Sequence, residues 1–268
     1  MARTILLRII TSHSAEAAKN YFDVSLKTSD YYTKDVGTWG GKGAEILALK
    51  GDVQRKDFVA LANNRLPGVS GKRLTARMNT TRLEDVIDKT GVPTMDPESG
   101  KVKKREVSNR RAGYDFTFSA PKSVSLYLAV NEDKVVEQMI TEAVDETMAA
   151  IEARMETKVR KGYQHDNCFS SNITYAKFIH RETRPVDGIP DPHYRIHVFS
   201  MNATFDAVEK EWKALEIGNT VGDRTFYEAH FHHLLAAKLE TSGYGIRSFY
   251  FLDPALPNRT SICPRLTS

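Results

Sequence analysis

The spacing of apolar residues along the chain divides it into predicted helices and strands. Apolar and polar residues alternate from Gly113 to Phe118, a stretch rich in aromatic side chains, and this pattern is typical of a strand. Apolar residues recur at helical spacing from Lys134 to Arg160 and predict the longest helix. Two further strands are predicted at Asn172–His180 and Tyr194–Thr204, and a final helix at about Arg224–Glu240. The apolar face of the longest helix comprises Val136, Met139, Ile140, Ala143, Thr147 and Ile151.

The N-terminal residues predict one strand followed by one helix. Thr4–Ile10 is apolar enough for a first strand. Either Ser12 or Ser14 can then cap a helix, because a serine hydroxyl accepts a hydrogen bond from the first backbone N–H groups of a helix. The helix is expected to run to Tyr21 or Phe22.

The remaining segments settle the predicted fold class. Lys56–Asn63 predicts a short amphipathic helix, whereas residues 66–112 predict loops and extended chain with one small helix near Leu83–Ile87. The element order and the long loops favour an α+β fold, with a mainly antiparallel sheet backed by helices, over a doubly wound sheet. We expect one domain over residues 1–248, followed by a peripheral or partly disordered tail over residues 249–268.

Composition narrows the function classes. The 268 residues are 41% hydrophobic and 27% charged, without an apolar run long enough for a membrane segment. The two cysteines, Cys168 and Cys263, show no pairing pattern, which is typical of a reducing cytoplasm. A monomer is the default expectation. Neither a Walker-type phosphate loop nor a Gly-x-Ser-x-Gly motif occurs, which argues against a nucleotide-driven motor and an α/β-hydrolase.

Basic residues are clustered rather than spread along the chain. The net charge of +4 is mild, but two stretches hold most of the local excess. Each could be a solvated loop, yet both flank the aromatic strand at Gly113–Phe118, and this position favours phosphate binding. The predicted DNA-binding residues of these stretches are Lys72, Arg73, Arg77, Lys103, Lys104, Arg105, Arg110 and Arg111.

Histidines on the two C-terminal strands are candidate metal ligands. Side chains alternate along a strand, so His193, Arg195 and His197 share one face. His180 ends the preceding strand, and antiparallel pairing could bring it beside His197. Imidazoles that converge from adjacent strands can hold a divalent metal, although scattered surface or core histidines are the alternative. The cluster His230, His232 and His233 is interpreted as packing or surface groups.

A carboxylate and three phenols complete the set of candidate catalytic groups. Asp115 either faces solvent or is held to orient a metal-ligating imidazole or accept a proton. Tyr21, Tyr31 and Tyr32 are near the N-terminus. A phenol, with an ordinary pKa of about 10, needs a base and charge neutralisation before it attacks a phosphodiester; otherwise such tyrosines are packing residues.

Four segments together resemble a known family. They are Asn20-Tyr21-Phe22 with Asp30-Tyr31-Tyr32; Trp39-Gly40-Gly41-Lys42-Gly43-Ala44-Glu45; Gly113-Tyr114-Asp115-Phe116-Thr117-Phe118-Ser119-Ala120-Pro121-Lys122-Ser123-Val124-Ser125; and Phe178-Ile179-His180 with Asp191-Pro192 and His197. On these residues the chain resembles the N-terminal relaxase domain of conjugative relaxases of the TrwC/TraI type, in the HUH endonuclease superfamily. The third segment is the most specific, and the matches spread over residues 10–245.

The resemblance implies a fold, an activity and a set of roles. The fold is a palm-like antiparallel sheet, and the partner is single-stranded DNA, often with an adjacent hairpin, near an origin of transfer in plasmid conjugation. Tyr21 would attack the scissile phosphate and become linked to the 5′ end, and Tyr31 or Tyr32 could serve a later strand transfer. Asp115 would partner a metal histidine or act as a base. Lys122, within the third segment, is a further predicted DNA-binding residue.

The metal site departs from the family pattern. His180 and His197 match it, but Arg195 occupies the place of the other histidine ligand, and Phe22 stands where the family often has a second tyrosine. One possibility is that a bulge brings His193 inward as a third ligand, although a regular strand would leave it roughly 13 Å from His197. The other, which we favour, is that two histidines hold Mg²⁺ or Mn²⁺ weakly while Arg195 contacts the phosphate through its planar donor fork.

Three other functions compete with a relaxase, which would act with other transfer or replication proteins. A rolling-circle replication initiator would make the same phosphotyrosyl bond at a replication origin. A DNA-binding module that has lost cleavage through Arg195 would bind DNA and form no covalent product. A metal-dependent hydrolase of small phosphoesters would turn over without a tyrosine linkage.

Overall fold

The computed structural model describes residues 7–27, 37–76, 81–88, 91–97, 99–108, 111–159, 166–183, 190–248 and 262–265. Its helices are α1 (Ala15–Lys27), α2 (Lys42–Ile46), α3 (Arg55–Ala62), α4 (Lys122–Asn131), α5 (Lys134–Ala153), α6 (Gly218–Gly222) and α7 (Arg224–Thr241). Its strands are β1 (Leu7–Ser12), β2 (Thr38–Gly40), β3 (Thr81–Asp85), β4 (Lys104–Ser108), β5 (Gly113–Ser119), β6 (Glu156–Lys158), β7 (Asn167–Phe169), β8 (Tyr175–Glu182), β9 (Pro192–Met201), β10 (Thr204–Asp206), β11 (Glu211–Lys213), β12 (Leu215–Glu216), β13 (Gly245–Ser248) and β14 (Ile262–Arg265).

The largest sheet of the described residues has five strands in the order β1-β5-β9-β8-β2, and every neighbouring pair is antiparallel. The α+β prediction is therefore confirmed. The sheet begins and ends with strands from the N-terminal part, while the C-terminal hairpin β8–β9 fills its centre. This arrangement brings Asp115 on β5 and the predicted histidines on β8 and β9 into adjacent strands.

One face of the sheet is covered by the long helices. Every second residue of β5 faces this side, and Tyr114, Phe116 and Phe118 are almost fully buried there. The helices α4, α5 and α7 supply the opposing apolar side chains, including Ile140 and Phe231. The predicted apolar face of α5 is confirmed, because all six of its residues are buried.

The opposite face is covered in part by α1 and α3. The rings of Phe22 in α1 and Phe58 in α3 have centroids 4.8 Å apart. Both pack on Phe178 of β8, and Phe58 also packs on Phe199 of β9, with ring centroids 5.2–6.2 Å apart. The intervening residues of β5 on this face are Asp115, Thr117 and Ser119, which are buried and polar. The sheet thus has an apolar core on both sides, with a polar patch on the α1 side.

Two predicted elements differ from the structure. The helix expected near Leu83–Ile87 is wrong, because Thr81–Asp85 forms β3 and pairs with β4 in a two-stranded ribbon. The long helix expected to reach Arg160 ends at Ala153, because Glu156–Lys158 forms β6 between β7 and β12. Both errors concern strands whose partners lie at least nine residues away, which local periodicity does not reveal.

The N-terminal helix begins as predicted but is longer. The Ser14 hydroxyl accepts a hydrogen bond from Ala17 N at 3.0 Å, so Ser14 rather than Ser12 caps α1. The helix continues past Phe22 to Lys27.

The end of the described chain is joined to the domain, because β14 pairs with β13. The division at residue 248 stays a prediction. No helix of the described residues is long and apolar enough to cross a membrane.

The glycine-rich segment after β2 has a structural explanation. Gly41 has a φ of +86°, and a Cβ there would collide with the Ile173 carbonyl oxygen, as it would at Gly43. The buried Glu152 carboxylate accepts hydrogen bonds from Lys42 N at 2.8 Å and Ile173 N at 2.9 Å. This carboxylate therefore links α2, α5 and the segment just before β8, and burial raises the pKa of Glu152 above the ordinary value.

Candidate active site

A hydrogen-bonded group of β5 and β9 side chains lies on the α1 side of the sheet. The register places Thr117 opposite His197, and Asp115 lies on the same face two residues earlier in β5. An Asp115 oxygen lies 3.0 Å from His197 Nδ1, and Thr117 Oγ1 lies 3.2 Å from that nitrogen. Because an ionised carboxylate only accepts hydrogen bonds, Nδ1 donates and Nε2 keeps its lone pair. Asp115 thus holds the His197 ring in the tautomer that can bind a metal.

His180 lies beside this group on the next strand. Its ring centroid is 4.8 Å from that of His197, with the rings nearly perpendicular. It is only 6% exposed, and neither ring nitrogen has a hydrogen-bond partner among the described residues. Burial, followed by the nearby His197 and Arg195, lowers the pKa of His180 to about 3. The imidazole is therefore neutral near pH 7, with a lone pair available to a ligand.

Strand pairing also places a guanidinium in the site. Arg195 is the direct partner of His180 across β8–β9, and the register shifts between His180 and Glu182. Such irregularities occur next to active sites, where they re-aim side chains. Arg195 Nη1 lies 3.5 Å from His193 Nδ1. Burial and then the positive charge of Arg195 lower the pKa of His193.

The donor set fits a divalent metal incompletely. The buried nitrogens of His180 beside His197 are the feature expected of metal ligands, since buried polar groups are rarely left without a partner. The described residues, however, contain no group of three His, Cys, Asp or Glu side chains placed to hold a metal. His193 contacts Arg195 instead, and its role as a third ligand stays a prediction.

Lys122 is paired with residues at the start of β9. Its Nζ forms an ion pair with Asp191 and donates to the Pro192 carbonyl oxygen at 2.8 Å. These contacts hold the start of β9, three residues before Arg195, against α4. A DNA phosphate would have to compete with Asp191 for this ammonium group.

The helix that carries the first predicted nucleophile packs against the site face. The ring of Phe22 contacts that of Phe178, whose direct strand partner is His197. The backbone of Tyr21 lies in α1, next to Phe22, while its side chain is outside what the structure describes. Tyr31 and Tyr32 lie outside the described residues.

The predicted DNA-binding residues fall in several regions, and those whose side chains are described are exposed. Lys72 and Arg73 lie in the loop after α3, Lys104 is the first residue of β4, and Lys103 directly precedes it. Arg111 is exposed just before β5, and a hydrogen bond with Tyr114 raises its pKa. Arg105 belongs to β4 by its backbone, with its side chain outside the described part, and Arg77 and Arg110 lie outside the described residues.

Two site residues were missed in the sequence. Thr117 contacts both Asp115 and His197, and Arg8 of β1 is the direct partner of Thr117 on the same face. Arg8 is exposed. The alternation of β5 could have indicated Thr117, but the position of Arg8 depends on the β1–β5 register, which no local pattern shows.

Comparison with known proteins identifies the fold as that of solved conjugative relaxases. TrwC in complex with oriT DNA, in a metal-bound structure, superposes with a TM-score of 0.68 at 26% sequence identity, over 91% of this chain and 72% of the TrwC chain. A copper-bound TrwC complex with oriT DNA gives 0.69 at 27% identity, over 91% and 73%. TrwC bound to a 27-mer DNA with the recognition hairpin and the cleavage site gives 0.66 at 25% identity, over 90% and 71%.

The chain belongs to the TrwC relaxase family, since the sequence model of that family matches residues 15–254. The predicted resemblance is therefore confirmed. Two curated relatives are multifunctional conjugation proteins TraI of Escherichia coli, one of them from strain K12. Each is 29% identical over 86% of this chain. The chain spans 12% and 11% of the length of these two relatives.

Proposed function

We propose that this chain is a site- and strand-specific DNA relaxase that nicks single-stranded DNA at an origin of transfer in plasmid conjugation. The observation that carries the proposal is the Asp115–His197–His180 group on the sheet face against which the Tyr21 helix packs. Membership of the TrwC family supports it.

Tyr21 is the proposed nucleophile. Its phenolate oxygen forms a bond to the scissile phosphorus while the bond from phosphorus to the 3′ oxygen breaks. The products are a 5′-phosphotyrosyl link and a free 3′-hydroxyl, and the reverse attack of that hydroxyl reseals the strand. The phosphodiester charge is conserved, and Tyr31 or Tyr32 is proposed to act in a later strand transfer.

The histidines are the residues that would hold a divalent cation, Mg²⁺ or Mn²⁺. Such an ion would supply positive charge to the phosphoryl oxygens. His197 offers Nε2 because Asp115 occupies Nδ1, and His180 is neutral and buried beside it. With Arg195 as the neighbour in place of a third imidazole, we expect weak metal binding, since a guanidinium repels a cation.

The basic regions are the proposed DNA contacts. The two-stranded β3–β4 ribbon has the dimensions to enter a major groove, and Lys103 and Lys104 would contact its phosphates. The other predicted basic residues are proposed to contact phosphates of the bound DNA in the same way. They are Lys72, Arg73, Arg77, Arg105, Arg110, Arg111 and Lys122. TrwC has been solved with hairpin DNA, which supports a hairpin beside the cleaved strand as the ligand.

The wider setting is also a proposal. We expect a monomeric relaxase domain over residues 1–248 that acts in the cytoplasm with other transfer proteins. A second candidate function is a DNA-binding module that does not cut, and the observation that favours it is that an arginine, Arg195, is the strand partner of His180.

The test is the formation of a covalent protein–DNA adduct. The protein is mixed with an end-labelled random-sequence single-stranded library, with and without Mn²⁺, and resolved on a denaturing gel. The relaxase predicts an adduct that Tyr21→Phe abolishes. Tyr244→Phe is the matched control, because its hydroxyl bonds Asp133, which caps α5. DNA binding on a native gel without any adduct would support the non-cutting module.

A further inference from the structure

A side chain of the protein, the Arg195 guanidinium, supplies a positive charge to the site without a bound metal ion. A site of three neutral imidazoles has no charge of its own and depends on a bound ion to neutralise a phosphodiester. Here Arg195 is the direct strand partner of the buried His180 and lies on the same face as His197. A guanidinium stays protonated at ordinary pH values, so Arg195 gives this face of the site one permanent positive charge.

The guanidinium is oriented by its neighbours rather than freely mobile. Arg195 is partly buried, its Nε is inaccessible to solvent, and Nη1 lies 3.5 Å from His193 Nδ1. The contacts of Lys122 with Asp191 and the Pro192 carbonyl hold the same end of β9 in place. Fixed donors are more effective at stabilising a transition state than mobile ones, because they cost no reorganisation during the reaction.

The same residue makes the site a poor metal centre. The described donors near His180 and His197 do not form a group of three, and the added positive charge opposes a divalent ion. A planar guanidinium, by contrast, matches a phosphate with two parallel hydrogen bonds. The chemistry of the site therefore favours direct anion binding over anion binding through a metal.

We infer that the Arg195 guanidinium binds the scissile phosphodiester and carries its charge through strand cleavage, so that the divalent metal is dispensable. The inference rests on the proposed relaxase function and specifies how its site handles charge. Tyr21 gives its phenolic proton to solvent and bonds to phosphorus, and the departing 3′ oxygen takes up a proton. The step needs no co-reactant, and Arg195 contributes hydrogen bonds to the non-bridging oxygens.

The experiment measures the initial rate of adduct formation in EDTA and in Mn²⁺ for wild type, Arg195→Ala, Arg195→Lys and Arg195→His. Wild type should form the adduct in EDTA. Arg195→Ala should slow it about 10²–10³-fold, the usual cost of removing one transition-state donor. Arg195→Lys keeps a positive charge without the planar pair of donors, so its rate in EDTA should lie between those of wild type and Arg195→Ala. Arg195→His should lose the EDTA activity and regain it with Mn²⁺.

A binding measurement supplies a readout that does not depend on cleavage. Titration calorimetry with Mn²⁺ alone should show binding to Arg195→His that is tighter than to wild type. Arg154→Ala is the matched control. Arg154 directly follows α5, where Glu152 accepts a hydrogen bond from Ile173 N. Ile173 precedes β8, whereas His180 lies near the other end of that strand. Arg154→Ala should leave rates and Mn²⁺ binding unchanged.

The outcomes separate this inference from the proposed function. A wild-type adduct that forms in Mn²⁺ but not in EDTA overturns the role of Arg195 and leaves the relaxase intact. Equal Mn²⁺ affinity for wild type and Arg195→His also overturns it. An adduct that persists in Tyr21→Phe, or none under any condition, overturns the proposed function and this inference with it.

Discussion

Adjacent residues of β5 face opposite sides of the sheet and are held there by different interactions. Phe116 faces the helices and is fully buried among apolar side chains, whereas Asp115 faces α1 and contacts His197. Both are almost inaccessible to solvent, yet one is held by packing and the other by hydrogen bonds. The backbone of the central strands is thus fixed by the apolar face, which lets the other face hold polar groups in a defined geometry.

The comparison explains how a buried polar group can persist. A carboxylate and an imidazole without partners would each cost free energy when removed from water. Asp115, Thr117 and His197 satisfy one another, while His180 is the exception, with two ring nitrogens that have no partner among the described residues. The exception marks where a ligand is expected to bind.

The largest expected effect is on the packing face. Phe116→Ala should lower the free energy of unfolding by about 3–5 kcal/mol, because it removes a buried ring from a close-packed core. Urea denaturation measures it. The control is Phe169→Ala at an exposed position, expected to change stability by no more than about 0.5 kcal/mol. Similar losses at both positions would contradict the account.

A change to the neighbouring residue should separate activity from stability. Asp115→Asn should slow adduct formation about 10–100-fold, because Asp115 orients the His197 ring and residues that orient a site histidine typically contribute that much. The free energy of unfolding, measured with urea, should change far less than it does for Phe116→Ala. Asp145→Asn, which alters a carboxylate paired with Lys177, is the control and should not affect the rate. Asp115→Asn at the wild-type rate would remove Asp115 from the site.

A smaller effect is expected from the edge of the polar face. Arg8→Ala should weaken binding of single-stranded DNA and reduce the slope of log affinity against log salt by about 0.7, the value for one phosphate contact. Fluorescence anisotropy at several salt concentrations measures the slope. Arg154→Ala should leave it unchanged. An unaltered slope for Arg8→Ala would place the DNA away from β1.

The smallest expected effect is on the pH dependence of stability, and it concerns Glu152, which binds the glycine-rich segment after β2. Burial raises the pKa of Glu152, so the folded state holds its proton more tightly than the unfolded state. This contribution to stability is complete below the ordinary pKa of about 4.3 and is lost as pH rises through the raised pKa. Glu152→Gln should abolish this decrease in stability with rising pH, because glutamine does not titrate and keeps an oxygen acceptor. Urea unfolding between pH 4 and 8 measures it, with the exposed Glu132→Gln as control; parallel wild-type and Glu152→Gln curves would contradict it.

Much of the sheet could be predicted because its strands carry local signals. The alternation of β5 and the apolar face of α5 are visible in the sequence, and both were confirmed. The β3–β4 ribbon was missed because its pairing joins residues 19–27 apart, and its apolar residues have the spacing of a short helix. Pairing at a distance is set by tertiary contacts, which local propensity does not encode.

The site was predictable by residue type and only partly by position. Asp115, His180 and His197 were all named, and the structure brings them together. That Arg195 pairs directly with His180 depends on the β8–β9 register. A shift of one residue would move Arg195 to the opposite face, so the composition of the site could be known only once the register was.

The central claim is that Tyr21, on the helix that covers the polar face, becomes linked to DNA. The most direct measurement is mass spectrometry of the adduct after protease and nuclease digestion, which locates the nucleotide on one peptide. The account predicts a nucleotide on Tyr21 from the first cleavage. A first linkage at Tyr31 or Tyr32, or at a residue outside these three, would contradict it.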